Sequence, residues 1–316
     1  MSEPYSQSAY SEVTNSPLSS RHYRYLLVDV FTERRFSGNP LAVFTDARGL
    51  NTDIMQRIAR ELSHPETTFV FPPADNAYDY SVRIFTPHAE LPTAGQSTIG
   101  TAFALAQERR VQAPLAPQRL VFDEVAGPVS VSMVSPVTTM KQQLPRFGSL
   151  YPEPQTAAAI LSLKSTDLQR DLPVQAVASS IPYLIIPVRE LEALQRIRLR
   201  ADIWERTVRT FEAPNIFAFT LQTENPQTTA RARMFAPALG IMEAPATESA
   251  SGPLAAYLVR HKLVPDRPEQ SLSIEQGAEI GRPSCIHVHV EQRNGELGSL
   301  RIGGQCVLVG EGVIYV

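Results

Sequence analysis

Cysteine, tryptophan and charge are all scarce in this chain of 316 residues. Two cysteines, Cys285 and Cys306, cannot build a disulfide framework, and since each falls in a strand-like stretch the expectation is two reduced, buried thiols. Charged residues make up 19%, below the ~25% of an average soluble domain, which points to extensive burial. The 29 basic and 32 acidic side chains leave a net charge of −3, so there is no basic footprint for nucleic acid or an anionic membrane. No apolar run is long enough to span a bilayer, and no signal-peptide apolar region is present. A cytoplasmic location and a small-molecule partner are therefore expected, with neither nucleic-acid nor membrane binding. Residues 1–22 are rich in Ser, Tyr and Pro without periodicity, the composition of a disordered tail.

What the chain does hold is one design used twice. Residues 94–106 (AGQSTIGTAFALA) and 246–258 (ATESASGPLAAYL) each run from small polar residues into a helix pattern with no charge beyond its first turn. They align with Ser97 on Ser249 and Gly100 on Gly252. A helix apolar on every side must be surrounded by protein, while its first backbone N–H groups stay unpaired and attract anions. Two such helices imply two domains with a site where the helix N-termini meet, and the length suits two domains of roughly 150 residues each.

Around those helices the pattern is mostly strand. Tyr25–Phe31, Leu41–Phe44, Thr67–Phe71, Tyr80–Phe85, Gln118–Phe122 and Val129–Val134 precede a crossing segment from Pro136 to Gly148. Tyr183–Pro187, Ile216–Leu221, Ala230–Phe235, Cys285–Val290, Leu300–Ile302 and Val307–Val309 follow it. Asn51 or Thr52 can cap an amphipathic helix carrying Ile54, Ile58, Ala59 and Leu62, and helix is also expected near 157–163 and 189–195. The strands read as antiparallel runs around one helix per half, which is not an alternating doubly wound pattern.

Several segments together resemble the phenazine-biosynthesis PhzF-like family. They are Val28-Asp29-Val30-Phe31, Phe36-Ser37-Gly38-Asn39-Pro40-Leu41-Ala42-Val43, Ala59-Arg60-Glu61-Leu62, Glu66-Thr67-Thr68-Phe69-Val70, Arg83-Ile84-Phe85-Thr86-Pro87, Glu90-Leu91-Pro92 and Ala94-Gly95. Pro245-Ala246-Thr247, Ser249-Ala250, Gly252-Pro253-Leu254, Gly281-Arg282-Pro283-Ser284 and Gly303-Gly304 continue the likeness. The resemblance implies an α+β, diaminopimelate epimerase-like fold of two similar lobes, each a β-barrel wrapped around a central buried helix. It further implies an interlobe active site, no cofactor, and commonly a homodimer. The lobes expected here are 23–137, completed by 305–316, and 138–304.

Catalytic members of that family share a glutamate, a histidine after Ala-Gly, an aspartate before Pro-Ala-Thr, then a glycine and a serine. In this chain the glutamate is Glu66 and the serine Ser249, but the histidine position holds Gln96, the aspartate position Ala244 and the glycine position Glu248. Gln96 cannot exchange a proton near pH 7 and Ala244 cannot hydrogen bond through its side chain, so a multi-residue proton shuttle is not expected. Glu66 remains able to give and take a proton in a partly buried cleft. Glu248 places a carboxylate where the family receives an anionic substrate group, which would repel such a group. Catalytic roles are thus expected for Glu66 and Glu248, and substrate contacts for Gly95, Gln96, Ser97, Thr247, Ser249, Asn39 and the Ala244 position. No metal site is expected.

Plainer readings stand beside these. Glu66 could cap a turn or pair with an arginine, Glu248 could serve only as a helix N-terminal charge, and Gln96 and Ser249 could be first-turn residues. His287 and His289 share a strand face without a third ligand, and Trp204 reads as helix packing. The leading function is a cofactor-independent isomerase or cyclase of a small, non-anionic secondary metabolite, with ring closure by a pericyclic route included. The alternatives are a non-catalytic small-molecule-binding relative, or an ordinary proton-shuttling isomerase that uses His88 or Glu243 for the lost groups.

Overall fold

The computed structural model describes residues 21–108, 118–293 and 296–316, so residues 1–20 of the expected tail lie outside the described residues. Against a tail expected to run to residue 22, β-structure already begins at His22, which pairs with Tyr315. Among the described residues, eighteen strands join in one continuous sheet. Those before the second buried helix's lobe are β1 (His22–Val30), β2 (Asn39–Phe44), β3 (Glu66–Phe71), β4 (Tyr80–Phe85), β5 (Glu90–Leu91), β6 (Gln118–Glu124), β7 (Gly127–Val134) and β8 (Val137–Gln142). They are followed by β9 (Arg146–Leu150), β10 (Gln175–Ala178), β11 (Pro182–Pro187), β12 (Asn215–Thr220), β13 (Ala230–Ala236), β14 (Ile241–Ala244), β15 (Glu269–Gln276), β16 (Ser284–Arg293), β17 (Glu296–Gly304) and β18 (Cys306–Tyr315). The helices are α1 (Thr52–Leu62), α2 (Gly95–Gln107), α3 (Pro154–Ile160), α4 (Leu191–Gln195), α5 (Ala201–Thr207) and α6 (Glu248–Arg260).

The pairing scheme repeats itself. From β1 it runs antiparallel to β2, parallel to β3, antiparallel to β4, parallel to β6, then through the β6–β7–β8 meander. From β10 the same sequence of directions runs through β11, β12, β13, β15, β16 and β17. β18 lies against β1 as β9 lies against β10, and β8 pairs with β17 to join the two halves. Helix α2 packs on β1, β2, β3, β7 and β8, and α6 on β10, β11, β16 and β17. Each half therefore wraps one helix.

One further expectation is corrected. The strands are not simply antiparallel runs: β2 pairs with β3, β4 with β6, β11 with β12 and β13 with β15 in parallel, because each of those connections passes through a helix and returns in the same direction. The helices outside the two central ones lie on the outer faces. Around α1, Met55, Ile58, Phe44, Phe69 and Phe85 form a satellite core, and α3, α4 and α5 cover another that includes Trp204. Asn51 caps α1, its side chain accepting the Ile54 N–H at 2.9 Å.

The central helices are buried by design of their small residues. A Cβ at Gly100 would sit 2.5 Å from Leu41 and 2.8 Å from Val30, so glycine is what lets α2 settle onto β1 and β2. Among the described residues no helix is long and apolar enough to cross a membrane. Both cysteines are free thiols, and burial pushes Cys285 up to about 11 and Cys306 up to about 12, leaving both unreactive at neutral pH.

Candidate active site

Neither central helix has a side-chain cap: the side chains of Ala94 and Thr247, which precede α2 and α6, make no hydrogen bond to the first-turn amides. Their free N–H groups converge instead on one carboxylate. The Gly95 N–H donates to Glu248 Oε1 at 3.1 Å, and the amides of Gln96, Ser249 and Glu248 itself also bond to this carboxylate. Glu248 thus sits where the partial positive charges of two helix ends add, one from each half of the chain. Burial raises its pKa, opposed by those four amides. Gly95 is what permits the approach, since a Cβ there would fall 2.7 Å from Glu248 Cγ.

Glu66 opens β3 beside the same helix end. Its Oε2 accepts the Ser97 hydroxyl at 2.5 Å, and the Ser97 backbone N–H also bonds the carboxyl. Burial, and after it the charge of Glu248, push Glu66 up to about 7, while the Ser97 bonds pull the other way. Like charges near one another cannot both ionise cheaply. Glu66, Glu248 and Ser249 keep partly accessible surface, whereas Asn39, Gln96, Ser97 and Thr247 are buried behind them.

The buried residues hold the rim in place. Asn39 Nδ2 donates to Gln96 Oε1 at 2.5 Å, and Gln96 Nε2 donates to the Pro40 carbonyl at 3.1 Å. The turn bearing Asn39 is fixed by Arg282, whose Nη2 reaches Asp29 Oδ1 at 2.6 Å and whose Nε reaches the Gly38 carbonyl at 2.9 Å. Gly38 takes φ +65 with a would-be Cβ 2.4 Å from the Val30 carbonyl, so only glycine fits. On the far side, Gln276 Nε2 donates to the Ala244 carbonyl at 2.7 Å and to Thr247 Oγ1 at 2.9 Å. Ala244 contributes its backbone and a buried methyl group.

Three residues at the site were not singled out from the sequence. Tyr183, in β11, shares a 2.7 Å hydrogen bond with Ser249 Oγ, and burial holds its phenol above its ordinary pKa. Gln276 ends β15, and Glu124 ends β6 against the first turn of α2, its carboxyl pushed up by burial. No local signal marks them. All three occupy ordinary strand positions and reach the site only through tertiary pairing.

Two groups considered as substitutes for the lost shuttle are otherwise placed. Both Glu243 oxygens are taken by Arg233, at 2.8 and 2.7 Å, and Arg233 Nη1 bonds the carbonyls of Leu194, Gln195 and Ile197. Removing one partner leaves a buried charge unpaired, so Glu243→Ala is expected to cost about 3–5 kcal/mol, read by urea unfolding. His88 sits exposed on a loop. His287 and His289 bond to Ser273 and Ser271, and among the described residues no three His, Cys, Asp or Glu side chains are grouped to hold a metal ion.

Comparison with known proteins places the chain in a family and agrees with the fold. The phenazine biosynthesis-like protein family, PhzC-PhzF, matches residues 28–312. An uncharacterised isomerase of Mesorhizobium japonicum is 37% identical over 303 residues, covering 92% of this chain and 98% of that protein. The trans-2,3-dihydro-3-hydroxyanthranilate isomerase of Pseudomonas aeruginosa is 31% identical, over 93% of this chain and all of that one. Among solved structures, a PhzF-family phenazine biosynthesis protein of Bacillus anthracis superposes with a TM-score of 0.85 at 26% identity, covering 94% of this chain and 100% of its own. A hydroxyproline epimerase of Agrobacterium vitis, at 12% identity and a TM-score of 0.59 over 94% of this chain and 92% of that one, shares the fold.

Proposed function

Because the chain belongs to the phenazine biosynthesis-like protein family, we propose that it is a cofactor-independent isomerase or cyclase of a small, non-anionic metabolite, working in the cleft between its two halves. Its relatives from M. japonicum and P. aeruginosa bear the name isomerase. The observation that carries the reading is the pair of carboxyls at the two helix ends: Glu66, pushed to about 7, and Glu248, already bound by the amides of both helices.

Glu66 supplies the chemistry. A carboxyl that titrates near 7 is present in both forms at neutral pH, so it can take a proton from one carbon and return it to another. Ser97 fixes Oε2 and with it the plane of the group. Ser249, braced by Tyr183, orients the substrate, and Gln96, held between Asn39 and the Pro40 carbonyl, fixes the turn behind it. Glu248 selects. The P. aeruginosa relative is named for an anthranilate, which carries a carboxylate; here such a group would meet Glu248 at the amides it needs. A neutral or cationic substrate escapes that repulsion.

With Gln96 and Ala244 unable to relay protons, much of the rate must come from holding a reactive conformer, which also suits ring closure by a pericyclic route. Turnover in deuterated water separates the two courses. A metabolite that accumulates in a strain lacking the gene is incubated with the purified protein. Deuterium at carbon, lost with Glu66→Gln, marks proton transfer; an unlabelled cyclised product marks conformational catalysis. If the protein neither converts nor depletes that metabolite, the enzymatic reading falls and a binding role replaces it.

A further inference from the structure

Glu124 is 4% exposed, and no step above uses it. Its two oxygens meet two threonines that flank the start of α2: Thr93 Oγ1 lies 2.6 Å from Oε2, and Thr98 Oγ1 lies 2.6 Å from Oε1. Thr98 Oγ1 is also 2.9 Å from the Ala94 carbonyl, the residue preceding α2. A hydroxyl has one proton to donate and a carbonyl has none. If Thr98 donates to Ala94, the 2.6 Å contact with Glu124 needs its proton from the carboxyl.

We propose that Glu124 is a neutral carboxylic acid at pH 8, donating through Oε1 to Thr98 and accepting from Thr93, and that it is the positioning residue for the turn that carries Gly95, Gln96 and Ser97. This arrangement lets Thr98 bond both Glu124 and the Ala94 carbonyl, whereas an ionised Glu124 that takes the Thr98 proton leaves that carbonyl only the Thr98 N–H. One O–H and one carbonyl-type oxygen serve two threonines, and the Thr98 proton is released to the Ala94 carbonyl, which also accepts the Thr98 N–H at 3.0 Å. Burial, the largest influence on the group, favours the neutral form, while hydrogen bonds donated by the two threonines pull the other way. A neutral acid also keeps a third negative charge away from Glu66 and Glu248, which an ionised Glu124 would push further up. Glutamine could copy the shape, but one of its two N–H bonds would lack a partner here. The inference rests on reading Glu66 as the proton-transfer group, because positioning matters through Ser97.

Neutron diffraction from the wild-type protein in deuterated buffer at pH 8 tests the protonation directly. The expected map shows a deuteron on Glu124 Oε1 and the Thr98 deuteron aimed at Ala94; a bare carboxylate with the Thr98 deuteron aimed at it overturns the proposal. Positioning is read from the Glu66 titration by carbon-13 NMR of labelled glutamate. Glu124→Gln, neutral for neutral, should leave the Glu66 midpoint within about 0.3 pH unit, whereas the shorter Glu124→Asp, unable to span both threonines, should move it by about half a unit or more. A drop of about one unit in Glu124→Gln means a charge was removed, and an unmoved midpoint in Glu124→Asp means the residue positions nothing. A wild-type Glu66 midpoint near 4.5 would instead strike at the proton-transfer reading and leave the Glu124 deuteron to be judged separately.

Discussion

Glu66→Gln is expected to stabilise the protein at pH 8 by about 3 kcal/mol while lowering turnover by about 100-fold or more. The two effects share one cause. Unfolded, Glu66 has its ordinary pKa of 4.5; folded, it titrates at about 7. The folded state therefore holds the proton more tightly, and the stability this gives below pH 4.5 is lost as the pH climbs through 7. At pH 8 the wild type carries the full cost of a buried carboxylate near Glu248, which glutamine does not. Urea unfolding of both proteins at pH 4 and pH 8 checks this. The wild type should weaken between the two by about 3 kcal/mol more than the variant does, and equal pH dependence would refute it.

The second large effect belongs to Gly95 and Glu248 together. Gly95→Ala drives a Cβ to 2.7 Å from Glu248 Cγ and breaks the amide contact, so a loss of about 1–3 kcal/mol is expected in the wild-type background. In a Glu248→Gly background the obstacle is gone, and the same substitution should cost close to nothing. The double-mutant cycle isolates that coupling. Glu248→Gly should also uncover the amides of Gly95, Gln96 and Ser249 for an external anion, so benzoate is expected to raise its melting temperature and leave the wild type unmoved. Strictly additive stabilities, or benzoate stabilisation of the wild type, would show that Glu248 does not fill that position.

The sequence made the two central helices legible because their composition is so constrained: small polar residues leading into an apolar pattern without charge beyond the first turn, and alike in spacing. Glu66, Gln96, Glu248 and Ser249 were marked by their match to the site positions that the resemblance to the PhzF-like family implies, and the structure brings these four to the meeting point of α2 and α6. Strand direction was not legible. Alternation along Tyr80–Phe85 says which face is buried but nothing about whether the neighbour, here β6, runs with it or against it. The supporting residues escaped for a similar reason. Tyr183 is one aromatic in an apolar strand, and Glu124 one acid in an alternating strand; their meaning comes from Ser249, 66 positions away, and from Thr98, 26 positions away.

The account stands on a carboxyl that exchanges protons near neutrality at the junction of two helix ends. Carbon-13 NMR of wild-type protein labelled at the glutamate carboxyl, with the Glu66 resonance assigned by its loss in Glu66→Gln, measures this without knowing the substrate. A midpoint near 7 is expected; a midpoint at the ordinary 4.5 would mean that Glu66 is a plain carboxylate and that the chemistry lies elsewhere.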